Sequence, residues 1–282
     1  MQNIIDIHTH TFPDAIAAQT VRTLRQRSRT RAFSDGTLEG LSQRIRAAGI
    51  SLAVVQPVVT NPVKAEKIVR AAALVNERTP QTHVFSFGGI HPDTPDFCGV
   101  LRLIRDLGLK GVKLHPAYQQ VPFDDIRYKR IVGCAEELGL VTLVHGGIDI
   151  GIPGDWSSPS RTRALWQDVR PERLIVAHMG GWQQWEEAER LLAETNVFLD
   201  TAFSLGDIAY DDGVPQAERA AQLSEEAFCR MVRAFGAERI LFGTDSPWSE
   251  HQTQRTIVER APLSDREKAL ILGENAKRLL QL

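Results

Sequence analysis

Residues 140–145 read Leu140-Val141-Thr142-Leu143-Val144-His145, a short run of apolar and β-branched residues stopped by a histidine. A segment this short, with no polar alternation, suits a strand buried on both faces, as in a parallel sheet covered by helices. The pattern recurs at Ile4 to Ile7, Leu52 to Gln56, Val84 to Ile90, Gly111 to Leu114, Leu174 to Ala177, Val197 to Asp200 and Ile240 to Phe242. That makes eight runs. Between them the spacing turns helical: Ile68, Ala72 and Val75 share a face behind the cap Asn61 and the first-turn Pro62. Trp185, Ala188 and Leu192 form another such face, and Ser264 with Glu267 spells a capping box. Eight strand–helix units predict an α/β chain forming a single (β/α)₈ barrel over residues 1–282. An open doubly wound sheet is the competing architecture, but no run is followed by G-x-G-x-x-G or by G-x-x-x-x-G-K-[ST].

Composition excludes several classes of function. The 33 basic and 35 acidic side chains leave a net charge of −2, which argues against a dedicated nucleic-acid or anionic-membrane binder. With 43% hydrophobic and 24% charged residues the chain can bury a large core. Cys98, Cys134 and Cys229 form no C-x-x-C and read as buried free thiols in a reducing compartment. The start, Met-Gln-Asn-Ile-Ile-Asp-Ile-His, has no signal-peptide pattern, and no apolar run approaches the roughly 18 residues of a membrane span. The expectation is a cytoplasmic protein acting on a small molecule, with a homo-oligomer left open.

Six of the eight histidines fall at or just after the carboxyl end of a run: His8, His10, His91, His115, His145 and His178. Asp245 follows the last run in the same way. In a barrel the carboxyl ends of all strands converge on one bowl, so this scattered set becomes one site. His8 and His10 are two apart on a strand and point the same way, with Asp6 one step deeper. Alone, an H-x-H is more often a satisfied core or surface pair. Combined with His145, His178 and Asp245, it offers nitrogen and carboxylate ligands suited to zinc, manganese, iron or cobalt.

The ordered set Asp6-Ile7-His8-Thr9-His10, Gly111-Val112-Lys113-Leu114-His115-Pro116, Val144-His145-Gly146, Ala177-His178-Met179-Gly180-Gly181, Gly243-Thr244-Asp245-Ser246-Pro247 and Asn275-Ala276-Lys277 resembles the amidohydrolase superfamily. It is most similar to the amidohydrolase-related branch, which also contains decarboxylases. The resemblance spans residues 6 to about 278 and implies a metal-dependent barrel. It implies that His8, His10, His145 and Asp245 hold one divalent metal, zinc first, and that His178 is the acid/base or polarising group. In two-metal members a carbamylated lysine bridges the ions, and Lys113 matches that position. A lysine paired with an acid or a substrate anion is the preferred reading of Lys113, and His115 is expected to line the substrate pocket. His91 in Gly88-Gly89-Ile90-His91-Pro92 is similar to a motif of TatD-type nucleases, but their strand-four glutamate is missing.

Two connections, Gly146 to Arg163 and Ala202 to Leu223, are long enough to overhang the bowl. Trp156, Arg161 and Arg163 in the first are expected to contact a small anionic substrate, since an arginine fork matches a carboxylate; the alternative is that Arg161 and Arg163 only cap or flank a solvated start of the next helix. The series Arg22, Arg25, Arg27, Arg29 and Arg31 reads as a solvated face, and Trp182 and Trp185 read as packing. Two chemistries fit the site: hydrolysis of an amide, lactone or ester by activated water, which is preferred, and non-oxidative decarboxylation of a small aromatic or unsaturated acid. A non-catalytic metal-binding protein is disfavoured, because a structural site would close all four positions with ligands.

Overall fold

In the computed structural model, which describes residues 3–282, every apolar run contributes a strand. In chain order these are β1 (Ile5–Thr9), β2 (Leu52–Val55), β3 (Val84–Ser86), β4 (Gly88–Gly89), β5 (Gly111–Leu114), β6 (Val141–Val144), β7 (Gly147–Asp149), β8 (Ile152–Ser157), β9 (Leu174–Val176), β10 (Phe198–Asp200) and β11 (Ile240–Leu241). The run 84–90 is split. β3 pairs with β2 and β4 pairs with β5, so this one stretch hands the sheet across Phe87. Close backbone approach dictates the glycines there: a Cβ on Gly89 would stand 2.5 Å from the carbonyl oxygen of Pro57.

All pairings around the ring are parallel, in the order β1-β2-β3 and β4-β5-β6-β9-β10-β11. Between β11 and β1 the ring closes through single bonds. Ile7 N donates to Phe242 O (2.9 Å), Asp245 N to His8 O (2.8 Å) and His10 N to Ser246 O (2.6 Å). Helices cover the strands, including Ala65–Glu77 behind the Asn61 cap, Trp185–Leu192, and Asp265–Ala269 with the expected Ser264/Glu267 capping box. The result is the (β/α)₈ barrel.

Two apolar clusters follow from strand alternation. Val141, Leu143, Ile175, Ala177 and Leu241 pack together with Ile7, Val54 and Phe87; Val141 and Leu143 share strand parity with His145 and so fill the ring beneath it. The complementary positions Val112, Leu114, Val144, Leu199 and Phe242 join the helices in a larger cluster. Of the three cysteines, expected buried, Cys229 is; Cys98 and Cys134 are half-exposed, with their sulfurs 3.3 Å apart. Among the described residues, no helix is long and apolar enough to cross a membrane.

Candidate active site

The carboxyl ends of the strands form the floor of a cavity of about 380 Å³. On β1, His8 donates from Nδ1 to Asp200 Oδ2 (2.9 Å), and His10 donates from Nδ1 to the carbonyl of Gln56 (2.9 Å). With Nδ1 used in this way, each ring presents Nε2 towards the cavity. Asp245 Oδ1 lies 3.1 Å from His10 Nε2 and 3.4 Å from His8 Nε2. These three side chains could hold one ion between them. The donor set fits a divalent metal: two imidazoles held by their far nitrogens, one by a carboxylate, plus an oxygen ligand. Burial keeps His8 neutral, driving its pKa well down, and the nearby Lys113 adds to the effect.

Asp200 organises this floor. Its Oδ2 takes the His8 proton, while Oδ1 accepts from the backbone N–H of His178 (2.9 Å) and Ala202 (3.1 Å). Burial raises its pKa and those N–H groups oppose the rise. Lys113, on β5, is fully enclosed and donates from Nζ to His8 Nε2 (3.1 Å). Burial lowers its pKa against the pull of Asp200 and Asp245. Asp6, expected on the face of His8 and His10, spends its carboxylate elsewhere. It accepts from Thr244 N (3.1 Å) and Oγ1 (2.6 Å) and from His8 N (3.1 Å). The pairing of β1 with β2 slips in register between Asp6 and Thr9, which breaks the simple two-residue repeat.

His178 follows β9. It donates from Nδ1 to the carbonyl of Ala202 (2.8 Å), so Nε2 accepts, and it meets His145 Nδ1 at 3.0 Å. Burial pushes the pKa of His178 down to about 4 and lowers that of His145 further from its ordinary range. His145, expected in one ligand set with His8 and His10, instead groups with His115 and Asp149. Its ring stacks on His115 at 4.2 Å, and its Nε2 is buried with no hydrogen-bond partner among the described residues. His115 caps the short helix Pro116–Gln119 through Nδ1 and lies 3.6 Å from Asp149 Oδ2. The pKa of Asp149 rises to about 6 through burial. His178 (φ 60°), Met179 (φ 53°) and Asp245 (φ 62°) all hold left-handed backbone, uncommon for residues other than glycine.

The mouth is built from loops. Helix α1 (Asp14–Ser28) lays Ile16, Thr20, Leu24 and Arg27 along one rim. The connection after β6 folds into the antiparallel hairpin β7–β8, whose turn puts Ile148 to Gly151 on another. The connection after β10 is tied to the end of α1 by Arg25–Asp211 (2.5 Å), Arg29–Glu218 (2.6 Å) and Arg31–Asp212, and Arg31 N donates to Ala209 O (2.6 Å).

The expected substrate contacts divide. Lys113 and His115 line the cavity; Trp156, Arg161 and Arg163 do not. Arg161 turns outward to Asp124 (2.7 Å) and Asp155 (3.0 Å). Arg163 lies over the Trp166 ring and donates to the carbonyl of Leu191, and Trp156 donates from its indole to Pro153 O. The hairpin reverses the chain before it reaches them, and Arg161 and Arg163 belong to the next helix, Pro159–Val169. Trp182, buried as expected of a packing residue, and Arg27, exposed as expected of a solvated one, also line the cavity. Asp200 and Asp149 went unremarked in the sequence. Asp200 ends an apolar run, the same signal that marks the histidines; Asp149 has no such signal.

Residues 5–282 match the family model described as amidohydrolase, and the chain belongs to that family. No curated protein matches the sequence. Solved structures are similar in fold at low identity. A dihydroxybenzoic acid decarboxylase from a Polaromonas species, with bound manganese and the inhibitor 2-nitroresorcinol, has TM-score 0.70 and 15% identity over 100% of this chain and 98% of that one. An uncharacterised TIM-barrel protein from Bordetella bronchiseptica has TM-score 0.71 and 18% identity over 99% and 98%. A probable 2-pyrone-4,6-dicarboxylic acid hydrolase from Acinetobacter baumannii, with citric acid bound, has TM-score 0.65 and 15% identity over 99% and 100%.

Proposed function

We propose that the protein is a metal-dependent hydrolase acting on a small anionic amide, lactone or ester. The observation that carries this reading is the convergence of His8 Nε2, His10 Nε2 and Asp245 Oδ1 at 3.1 to 3.4 Å on the cavity floor. These three residues would hold one divalent ion, zinc first, with manganese, iron and cobalt as alternatives. Such an ion supplies Lewis acidity that acidifies water and polarises a carbonyl. Asp245 accepts the proton of the attacking water and returns it to the leaving group. His178, neutral and with Nδ1 fixed by Ala202, presents Nε2 as the second proton-handling atom, and His145 orients it. For His145 to serve as a fourth ligand, its Nδ1 would have to exchange His178 for the ion. A second ion would need a carbamylated Lys113; the buried amine lies 3.1 Å from His8 Nε2, and that contact would give way when the Nε2 lone pair takes the ion.

A decarboxylase is the second reading, favoured by the aromatic residues Phe12, Trp182, Phe203 and Trp248 among those that line the cavity. There the same His145–His178 pair would deliver a proton to the carbon that loses CO₂. Both the decarboxylase and the pyrone hydrolase of similar fold act on flat unsaturated acids by name. The test is metal analysis of the purified protein, then a screen of lactones, amides and aromatic carboxylates scored separately for acid and for CO₂. Acid release with one metal per chain supports the proposal; CO₂ release replaces it with the second reading; a metal-free active enzyme overturns both.

A further inference from the structure

Four arginines alternate at the end of α1 and beyond it, and three of them, Arg25, Arg29 and Arg31, are paired with acids of the connection after β10. Arg27 differs. It lines the cavity and, among the described residues, has no carboxylate in ion-pair contact. Its alkyl stem crosses directly over Gly151: a Cβ there would stand 2.7 Å from Arg27 Cγ and 2.8 Å from Cδ. A glycine at the tip of the hairpin thus leaves the track along which Arg27 reaches inward. Its guanidinium lies 5.7 Å from the centre of the Tyr118 ring. Tyr118 in turn meets His115 edge-on at 4.4 Å, and His115 stacks on His145 at 4.2 Å. A continuous polar ladder therefore runs from the arginine at the mouth to the histidines at the floor.

Asp149 also lines the cavity, and its carboxylate accepts from the backbone N–H of Gly151 (2.8 Å) and of Ile152. The charge of Arg27 is felt there, but the two form no direct ion pair. A guanidinium beside a tyrosine at the rim, with no carboxylate in ion-pair contact among the described residues, can offer its fork to a substrate carboxylate.

We propose that Arg27 and Tyr118 form a carboxylate-binding subsite at the cavity mouth, and that the substrate bears that carboxylate remote from its reacting group. The proposal rests on the reading above that the reacting end lies at the metal-binding floor, but its test needs no turnover. Isophthalate, with two carboxylates across a ring, and benzoate, with one, are titrated into the metal-loaded protein while the fluorescence of Trp182 and Trp248 is followed. The unaltered protein is expected to bind isophthalate at least tenfold more tightly than benzoate. Arg27→Met is expected to abolish that preference while changing benzoate binding less than twofold, and Arg27→Lys to restore part of it. Gly151→Ala, which displaces the stem without removing charge, should also reduce the preference; Arg22→Met, on the exposed side of α1, should not. The proposal fails if isophthalate is bound no better than benzoate, or if Arg27→Met weakens both or neither to the same extent. Metal content, measured on the same samples, reports separately on the floor.

Discussion

The floor of the cavity and its mouth are held by different physical means. At the floor each reactive atom belongs to a side chain whose other end is pinned: His8 by Asp200, His10 by the Gln56 carbonyl, His178 by the Ala202 carbonyl. These bonds are buried, and a buried partner removed leaves a polar group unsatisfied at a cost of about 1–3 kcal/mol. At the mouth the elements are joined by Arg25, Arg29 and Arg31 to three acids, with side chains one-third exposed or more. Exposed pairs of this kind contribute about 0–1 kcal/mol each. Chemistry is thus set in a rigid frame and access is set by a soft one. Substitutions should reveal that difference in size of effect.

The largest effect is expected at the ion site itself. Asp245→Asn should lower kcat/KM by about 10² to 10⁴-fold, the usual range for a general base, and His8→Ala should strip the metal, which elemental analysis would show. Retained activity in either would break the picture of a floor built around that ion. Next comes His178→Asn, expected to cost roughly 10²-fold in kcat with metal content unchanged. Metal loss equal to that of His8→Ala would place His178 among the ligands instead. Asp200→Asn touches neither substrate nor ion, yet should weaken metal binding by about 10 to 100-fold by freeing the His8 ring; competition with a chelator measures it.

Behind the floor, His251 tests how far the rigid frame extends. It is buried 3.6 Å from Asp6, which braces Thr244, and its Nε2 has no hydrogen-bond partner among the described residues. Burial holds its pKa down at about 4, with Glu250 pulling up and Arg44 pushing down. A histidine depressed in the folded state contributes stability that is complete above pH 6.5 and is lost as pH falls towards 4. His251 should therefore contribute a loss on the order of 2 kcal/mol over that window, alongside those of the other buried histidines, and His251→Gln should make the slope shallower by that share; an unchanged slope would remove His251 from the frame. The smallest effect belongs to the mouth. Arg29→Ala is expected to change global stability by less than about 1 kcal/mol, and a larger loss in thermal unfolding would mean the clasp is part of the frame after all.

The same division explains what was legible in the sequence. Strand ends are readable because an apolar run must be buried and a histidine at its end must face the bowl; His8, His10, His145, His178 and Asp245 all reach the floor by that rule. Which of them share an ion was not readable, since the slip in β1 and the turn of His178 into left-handed backbone are local events with no sequence period. The mouth was read less well. Arg161 and Arg163 lie at the end of the right loop, but hairpin formation at 147–157 turns the chain back and leaves them to the following helix. Arg27 sits in a run of arginines that looks uniform; its place on the cavity rim beside Tyr118, visible only in three dimensions, separates it from its neighbours.

The left-handed backbone at His178, Met179 and Asp245 bears on how this protein could be engineered. Glycine or asparagine would relax that conformation, which costs on the order of 1–3 kcal/mol at each such residue. A mutant library sorted for heat tolerance alone would be drawn towards those exchanges, and at positions 178 and 245 it would discard the proton-handling side chains in the process. Thermostabilised descendants should therefore be sought among variants of the outer helices, with these positions locked during selection.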